Sequence, residues 1–222
     1  MKTLLIFLAA PLMAATAMAD WVIESKIESP QINSSSIMKI KGDKLRMDFA
    51  SGPMGAMSSI VDTKTGDTLQ LVHGQKMAIK ANSAQTKQLL DVVNPHSAAK
   101  AGVDPVPKTT GQNEKVGDYD CEIYTWTDGT STTRLWMAKN HPQASALKAV
   151  EKQLRAGFLG ATSGGPDTTG LPGPVLRTEK TTAEGKSTSS IVSVKEQPVD
   201  AKEFEAPADY QTMAMPALPG GQ

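Results

Sequence analysis

The sequence predicts a mainly β fold of the α+β kind: a strongly curved antiparallel sheet or half-barrel of roughly ten strands, with two helices covering its concave face. Three observations point there. Short runs alternate apolar and polar residues and are separated by turn dipeptides, as in SIMKIK-GD-KLRMDF at 36–49. Twice, a hairpin runs into a stretch whose apolar residues recur every three or four positions, first at Leu89, Leu90 and Val93 and again at Leu147, Val150, Leu154 and Phe158. Exposed sheet edges are a liability, so a sheet of this size is expected to curl and take helices onto one face; an eight-stranded closed barrel is the nearest competing architecture.

Taken in order, Lys2, an apolar run from Leu4 to Ala15 and the small-x-small Ala17-Met18-Ala19 read as a signal peptide over 1–19. That run is too short for an ordinary membrane span, and it directs the mature chain to a bacterial periplasm. A single domain is expected over 20–210, with a disordered tail over 211–222. In DWVIESKIES, Trp21, Ile23 and Ile27 share one face of a first strand that stops at Pro30. A two-residue Gly42-Asp43 turn then pairs Met38 with Met47 and Ile40 with Leu45, continues that face with Phe49, and sends Lys39, Lys41, Lys44, Arg46 and Asp48 outward. A four-residue connection groups Ile60, Leu69 and Leu71, KMAIKA forms another strand, and Asn82 or Ser83 caps the first helix. The Pro-rich 94–110 reads as a surface loop.

The second hairpin, KVGDYDCEIYTWT-DGT-STTRLWMAK, has two possible registers. A two-residue loop sets Cys121 and Ile123 beside Arg134 and Trp136. An odd loop with Gly129 left-handed groups Tyr119, Cys121 and Ile123 with Leu135 and Met137, and is preferred because it gathers the apolar residues together. It leaves Glu122, Tyr124, Trp126, Arg134 and Trp136 as a half-wet aromatic face. Asn140 is the expected cap of the second helix, with Pro142 in its first turn and Lys148, Glu151, Lys152 and Arg155 on its surface side. The Gly-rich stretch 160–174 reads as a long loop at a rim, two strands follow, and Phe204 and Tyr210 dock back on the sheet.

Composition narrows the function. Charge is balanced, at 23 Lys+Arg against 23 Asp+Glu, which argues against a nucleic-acid partner. No second long apolar segment follows the leader, so an integral membrane protein is not expected. Cys121 is the sole cysteine, expected as a small buried side chain in a chain without an internal disulfide. His73, His96 and His141 have no spacing that pairs them, and the common hydrolase, zinc-protease and phosphate-loop patterns are missing. No enzyme activity, cofactor or metal site is therefore expected. Asp118, Asp120 and Glu122 read as a solvated strand face.

The phrases GDKLRMDF, SIVDTKTG, KVGDYDCEIYTW and RLWMAK, with a closing Phe204-x-x-Pro207-x-x-Tyr210, resemble an uncharacterised bacterial envelope family defined as a domain of unknown function. That family is similar in architecture to the LolA/LolB-like lipoprotein carriers, and the likeness implies an apolar cavity for a lipid or a lipidated protein. The residues expected to line it are Met38, Leu45, Met47 and Phe49 from the first hairpin. Ile123, Leu135 and Met137 join from the second hairpin, with Leu147, Val150 and Leu154 from the helix. An alternative reading is a filled-core module that docks an envelope protein through Tyr124, Trp126 and Trp136. A third is soft-metal binding, since Met54, Met57, Met213 and Met215 offer thioethers suited to Cu(I).

Overall fold

The computed structural model describes residues 19–30, 33–50, 55–93, 106–156 and 165–215. Residues 1–18 of the expected 1–19 leader and residues 216–222 lie outside them, as do His96, Met54 and Phe158. Twelve strands form one curved, unclosed sheet. The first half comprises β1 (Trp21–Glu28), β2 (Asn33–Lys41), β3 (Lys44–Phe49), β4 (Met57–Asp62), β5 (Thr68–Val72) and β6 (Met77–Ala81), followed by helix α1 (Ser83–Val93). The second comprises β7 (Lys108–Val116), β8 (Tyr119–Thr127), β9 (Thr132–Ala138), helix α2 (Ala144–Ala156), β10 (Val175–Thr182) and β11 (Gly185–Glu196), with β12 (Gln211–Ala214) last in the chain.

Each half is an antiparallel meander, and the two are joined where β1 pairs with β11; the spatial order runs β12-β6-β5-β4-β3-β2-β1-β11-β10-β9-β8-β7. The first hairpin has the expected register, with Met38 opposite Met47 and Ile40 opposite Leu45. Gly42 sits at φ +56°, a backbone conformation costly for other residues. Asn82 and Gln85 cap α1 reciprocally, each side chain accepting the other's backbone N–H at 2.9 and 3.0 Å.

The register assigns the faces. Trp21, Ile23 and Ser25 share theirs with Met38, Ile40, Leu45, Met47 and Phe49, and through β4 to β6 with Val61, Thr68 and Ala81. Across these six strands that face carries no charged residue, whereas Glu24, Lys26, Lys39, Arg46, Asp48 and Lys80 all lie on the reverse. Both helices cover the uncharged, concave side. Thr86 of α1 meets Thr68 at 3.2 Å, and Leu147 and Val150 of α2 pack in one cluster with Ile23, Ile40 and Leu45.

Over β1 to β6 the reverse face is closed by the segment after β11. Val199 and Phe204 bury Val22, Ile60, Leu71 and Ala78, with Tyr210 and Leu69 packed alongside. Polar groups lock this cover. Arg46 donates to the Glu203 carbonyl at 2.6 Å, and Lys39 pairs with the Glu203 carboxylate. Ser58 donates to Asp48 at 2.5 Å and accepts from Arg46 at 3.1 Å. With its one proton on Asp48, Ser58 meets His73 Nε2 (2.7 Å) as an acceptor, and Nδ1 on the other side of the ring lies in hydrogen-bond contact with the Tyr210 hydroxyl at 2.6 Å. Tyr210→Phe removes that last bond while keeping the ring. It is expected to lower unfolding free energy by about 1–2 kcal/mol, and an unchanged urea midpoint would show that the hydroxyl holds nothing.

Three expectations are corrected. Residues 211–214 are not a disordered tail but β12, which extends the sheet parallel to β6 from Gln211 opposite Met77. Helix α2 starts at Ala144 rather than directly after Asn140, and in the turn before it His141 Nδ1 accepts the Gln143 N–H at 3.1 Å. Burial pushes the His141 imidazolium pKa down, which favours the neutral ring this bond requires. The third correction is the register of β8 and β9. Cys121 faces Ala138 and Ile123 faces Trp136, because the connection has four residues, an even number. Asp128 organises it: its carboxylate accepts N–H groups of Thr130 and Ser131 at 2.9 and 2.6 Å, and these amides hold the carboxyl pKa far below the usual range.

Candidate functional site

Helix α2 is amphipathic, and its apolar stripe faces the sheet across a cleft of ≈ 340 Å³. The floor is supplied by Ile23, Met38 and Ile191, the far wall by Leu135 and Val175, and the roof by Leu147 and Val150. Both halves of the sheet contribute, and the lining surface is mostly apolar. Bulges matter here: the irregularity between Val175 and Arg177 puts Val175 opposite Met137 while keeping Thr178 opposite Leu135. The segment 165–175 closes one side, with Pro166, Thr168 and Pro174 in the lining.

Two charged residues expected on the solvent side of α2 instead fasten it. The Lys148 ammonium donates to the carbonyls of Thr169 and Leu171 at 2.8 and 2.6 Å, and Glu151 accepts from the Thr168 hydroxyl. Helix and rim segment are thus one wall. Gly173 lies so close to β9 that a Cβ there would meet the Ala138 carbonyl oxygen at 2.2 Å.

Of the residues expected to line a cavity, Met38, Leu135, Leu147 and Val150 do line the cleft. Leu45, Met47, Phe49 and Met137 lie on the same concave face beyond it. Ile123 shares one buried cluster with Ile23, Leu147 and Val150 but does not line the cleft, and the Leu154 side chain is outside the described residues. Ile23 was read as a core position and Val175, Ile191, Ser25, Thr133 and Thr178 were not singled out; the alternation of β1 held the signal for the first, whereas the bulges hid the others.

The expected aromatic partner face does not exist as one surface. Tyr124 and Trp126 fall on the concave side opposite Leu135 and Thr133, and Trp136 points the other way. Trp126 is 8% exposed and Trp136 1%, so neither ring is presented to a partner. Trp136 lies beneath the guanidiniums of Arg177 and Arg134, 3.8 and 4.9 Å from its ring centroid, and donates to Glu114 at 3.0 Å. Arg177 beside Glu114 holds that carboxyl below its ordinary pKa.

Other chemistry finds little support. Ser58 touches a histidine but is 0% exposed, and the histidine donates to it, so its oxygen is not activated as a nucleophile. Among the described residues no three His, Cys, Asp or Glu side chains gather as metal ligands. Met57 and Met213 sit three strands apart, roughly 14 Å at the usual strand spacing, and are not brought together. No described helix is long and apolar enough to cross a membrane.

A family model described as a domain of unknown function, DUF4412, matches residues 21–210. A search of the curated proteins finds no match. Among solved structures, the chain is similar to Mycobacterium tuberculosis lipoprotein LppX at 8% identity and TM-score 0.43, covering 82% of this chain and 88% of that one. It is similar to MucB at 10% identity and TM-score 0.43, over 89% of this chain and 60% of that one. For PNGF-II the values are 15% and 0.43, over 90% of this chain but only 31% of that one, so the chain spans about a third of that protein's length.

Proposed function

The chain belongs to the DUF4412 family, and from that premise we propose that it is a non-enzymatic carrier or receptor of the bacterial envelope, exported to the periplasm, that holds an apolar or lipid-modified ligand beneath α2. One observation carries the reading: a concave face uncharged across β1 to β6, roofed by an amphipathic helix, leaves an apolar cleft of ≈ 340 Å³. That volume lies in the range of small-ligand sites, about 300–1,000 Å³. A half-buried methionine and phenylalanine floor continues beyond the cleft at Met47 and Phe49, where flexible thioethers adapt to an irregular hydrocarbon.

The test is native mass spectrometry of protein purified from a Gram-negative periplasm without detergent. A lipid-mass adduct is expected on the wild type and on Val192→Asp, since Val192 is 64% exposed on a bulge away from the cleft. Leu147→Asp, with its far-UV circular dichroism retained, is expected to lose the adduct. Equal retention by the two variants, or a bare wild-type chain that takes up no envelope lipid, would overturn the reading.

A further inference from the structure

Helix α2 roofs the cleft, and the turn that launches it is held by a histidine ring. Residues 139–143 carry the chain from β9 into α2. Within this turn His141 Nδ1 accepts the Gln143 N–H at 3.1 Å, and the His141 carbonyl accepts the Ala144 N–H at 3.0 Å. The Gln143 carbonyl in turn accepts the Leu147 N–H at 3.0 Å, which links the imidazole to the first roof residue of the cleft. A second link runs through side chains. The His141 ring lies tilted on Tyr119, with centroids 4.4 Å apart, and Tyr119 packs against the cluster that holds Leu147 and Val150. His141 is 8% exposed.

This arrangement suits one charge state. A neutral imidazole can accept at Nδ1, whereas an imidazolium carries a proton on both nitrogens. Protonation would therefore turn two N–H groups toward each other, strip the Gln143 N–H of its acceptor and put a charge in a buried site. The titratable neighbours offer no counter-ion. Tyr119 of β8 touches the ring, Lys139 of the same turn is paired with Glu122 of β8 at 2.8 Å, and Lys148 and Glu151 of α2 are bonded to the rim segment. Asp118 and Asp120 flank Tyr119 in sequence, and among the described residues neither bonds to His141. Burial is accordingly what depresses the imidazolium pKa. With the turn lifted and the ring in water, His141 would take up its proton near the usual histidine value of about 6.5. The closed form protonates only at lower pH, so across that interval each unit of acidification favours the open form by up to about tenfold.

Resting on the carrier reading above, we propose that His141 is an acid-sensitive latch on the roof of the cleft: while neutral it holds the start of α2 down, and on protonation it lets that turn lift and the apolar occupant leave. The ligand is held in neutral surroundings and given up in mildly acidic ones.

The experiment loads the mature protein with an uncharged naphthylamine dye and follows its release into excess phosphatidylcholine vesicles at about pH 7.5 and about pH 5, either side of the usual histidine value. Wild-type release is expected to speed up about tenfold at the lower pH. In His141→Asn the side-chain oxygen can accept the Gln143 N–H in place of Nδ1 and does not titrate in this range, so its release should change by less than about twofold. Both chains keep His73, His96 and every carboxylate, so the difference belongs to position 141. A second readout needs no substitution: dye loading should move the His141 titration, followed by NMR on the wild type, to lower pH, by the reciprocity of linked binding. Equal acceleration in the two chains, or an imidazole titration that the dye leaves in place, overturns the inference and leaves the carrier reading standing. A protein that takes up no dye at either pH overturns both.

Discussion

Trp136→Ala is expected to lower the unfolding free energy by about 3–5 kcal/mol, the usual cost of truncating a buried tryptophan. Three things are lost together. The ring fills a site that is 1% exposed. Its indole N–H satisfies Glu114, and its face supports the Arg177 guanidinium at 3.8 Å. Glu114 also accepts from Arg177 at 2.5 Å, so β7, β9 and β10 are tied at one point of the reverse face. Trp136→Phe keeps most of the ring and deletes the donor, and should cost about 1–2 kcal/mol. Denaturant titration separates the two; a Trp136→Ala loss no larger than an exposed substitution's, about 0.5 kcal/mol, would mean the ring is not packed as described.

Gly173→Ala is expected to damage both stability and the candidate site. The added methyl would meet the Ala138 oxygen at 2.2 Å and its carbonyl carbon at 2.8 Å, and backbone cannot rotate aside as a side chain can. The 3.0 Å bond from Ala138 N–H to the Pro174 carbonyl would stretch as the rim segment lifts. Overpacking of this kind costs about 1–3 kcal/mol. Because the same segment supplies Pro166, Thr168 and Val175 to the cleft, ligand retention should fall with it. Gly170→Ala is the control, since its Cβ would meet nothing within 4 Å. Matching melting temperatures for the two variants would contradict the close approach.

How much of this was legible depended on where the deciding interaction lay. Met38 opposite Met47 was readable because a two-residue turn and an alternating pattern agreed. The β8–β9 register was misread because hydrophobicity alone was asked to choose it. Both faces of that hairpin are buried, Leu135 and Met137 against Leu171 of the rim, and Cys121, Ile123 and Trp136 in the cluster that includes Leu147 and Val150, so alternation carried no preference; the informative residue was Asp128, whose carboxylate organises an even loop. Lys148 and Glu151 looked solvated because a helical wheel does not know that a distant rim segment lies against it. Likewise the cleft is assembled from β1, β2, β9, β10 and β11, and only the seam between the halves brings them together.

That seam has a consequence for the life of the chain. β1 is among the first ordered segments to be synthesised, yet its second neighbour is β11, with Trp21 opposite Glu196. Until nearly all the chain has been made, the first meander must persist with one flank unpaired, exposed to the mispairing that open strands invite. Its other flank waits as well, because β12 and the cover carrying Phe204 follow still later. The candidate cleft does not exist in either meander alone, since Ile23 and Met38 come from one and Leu135 and Thr178 from the other. Anything bound there clasps the two together, so loading should raise the free energy needed to part them.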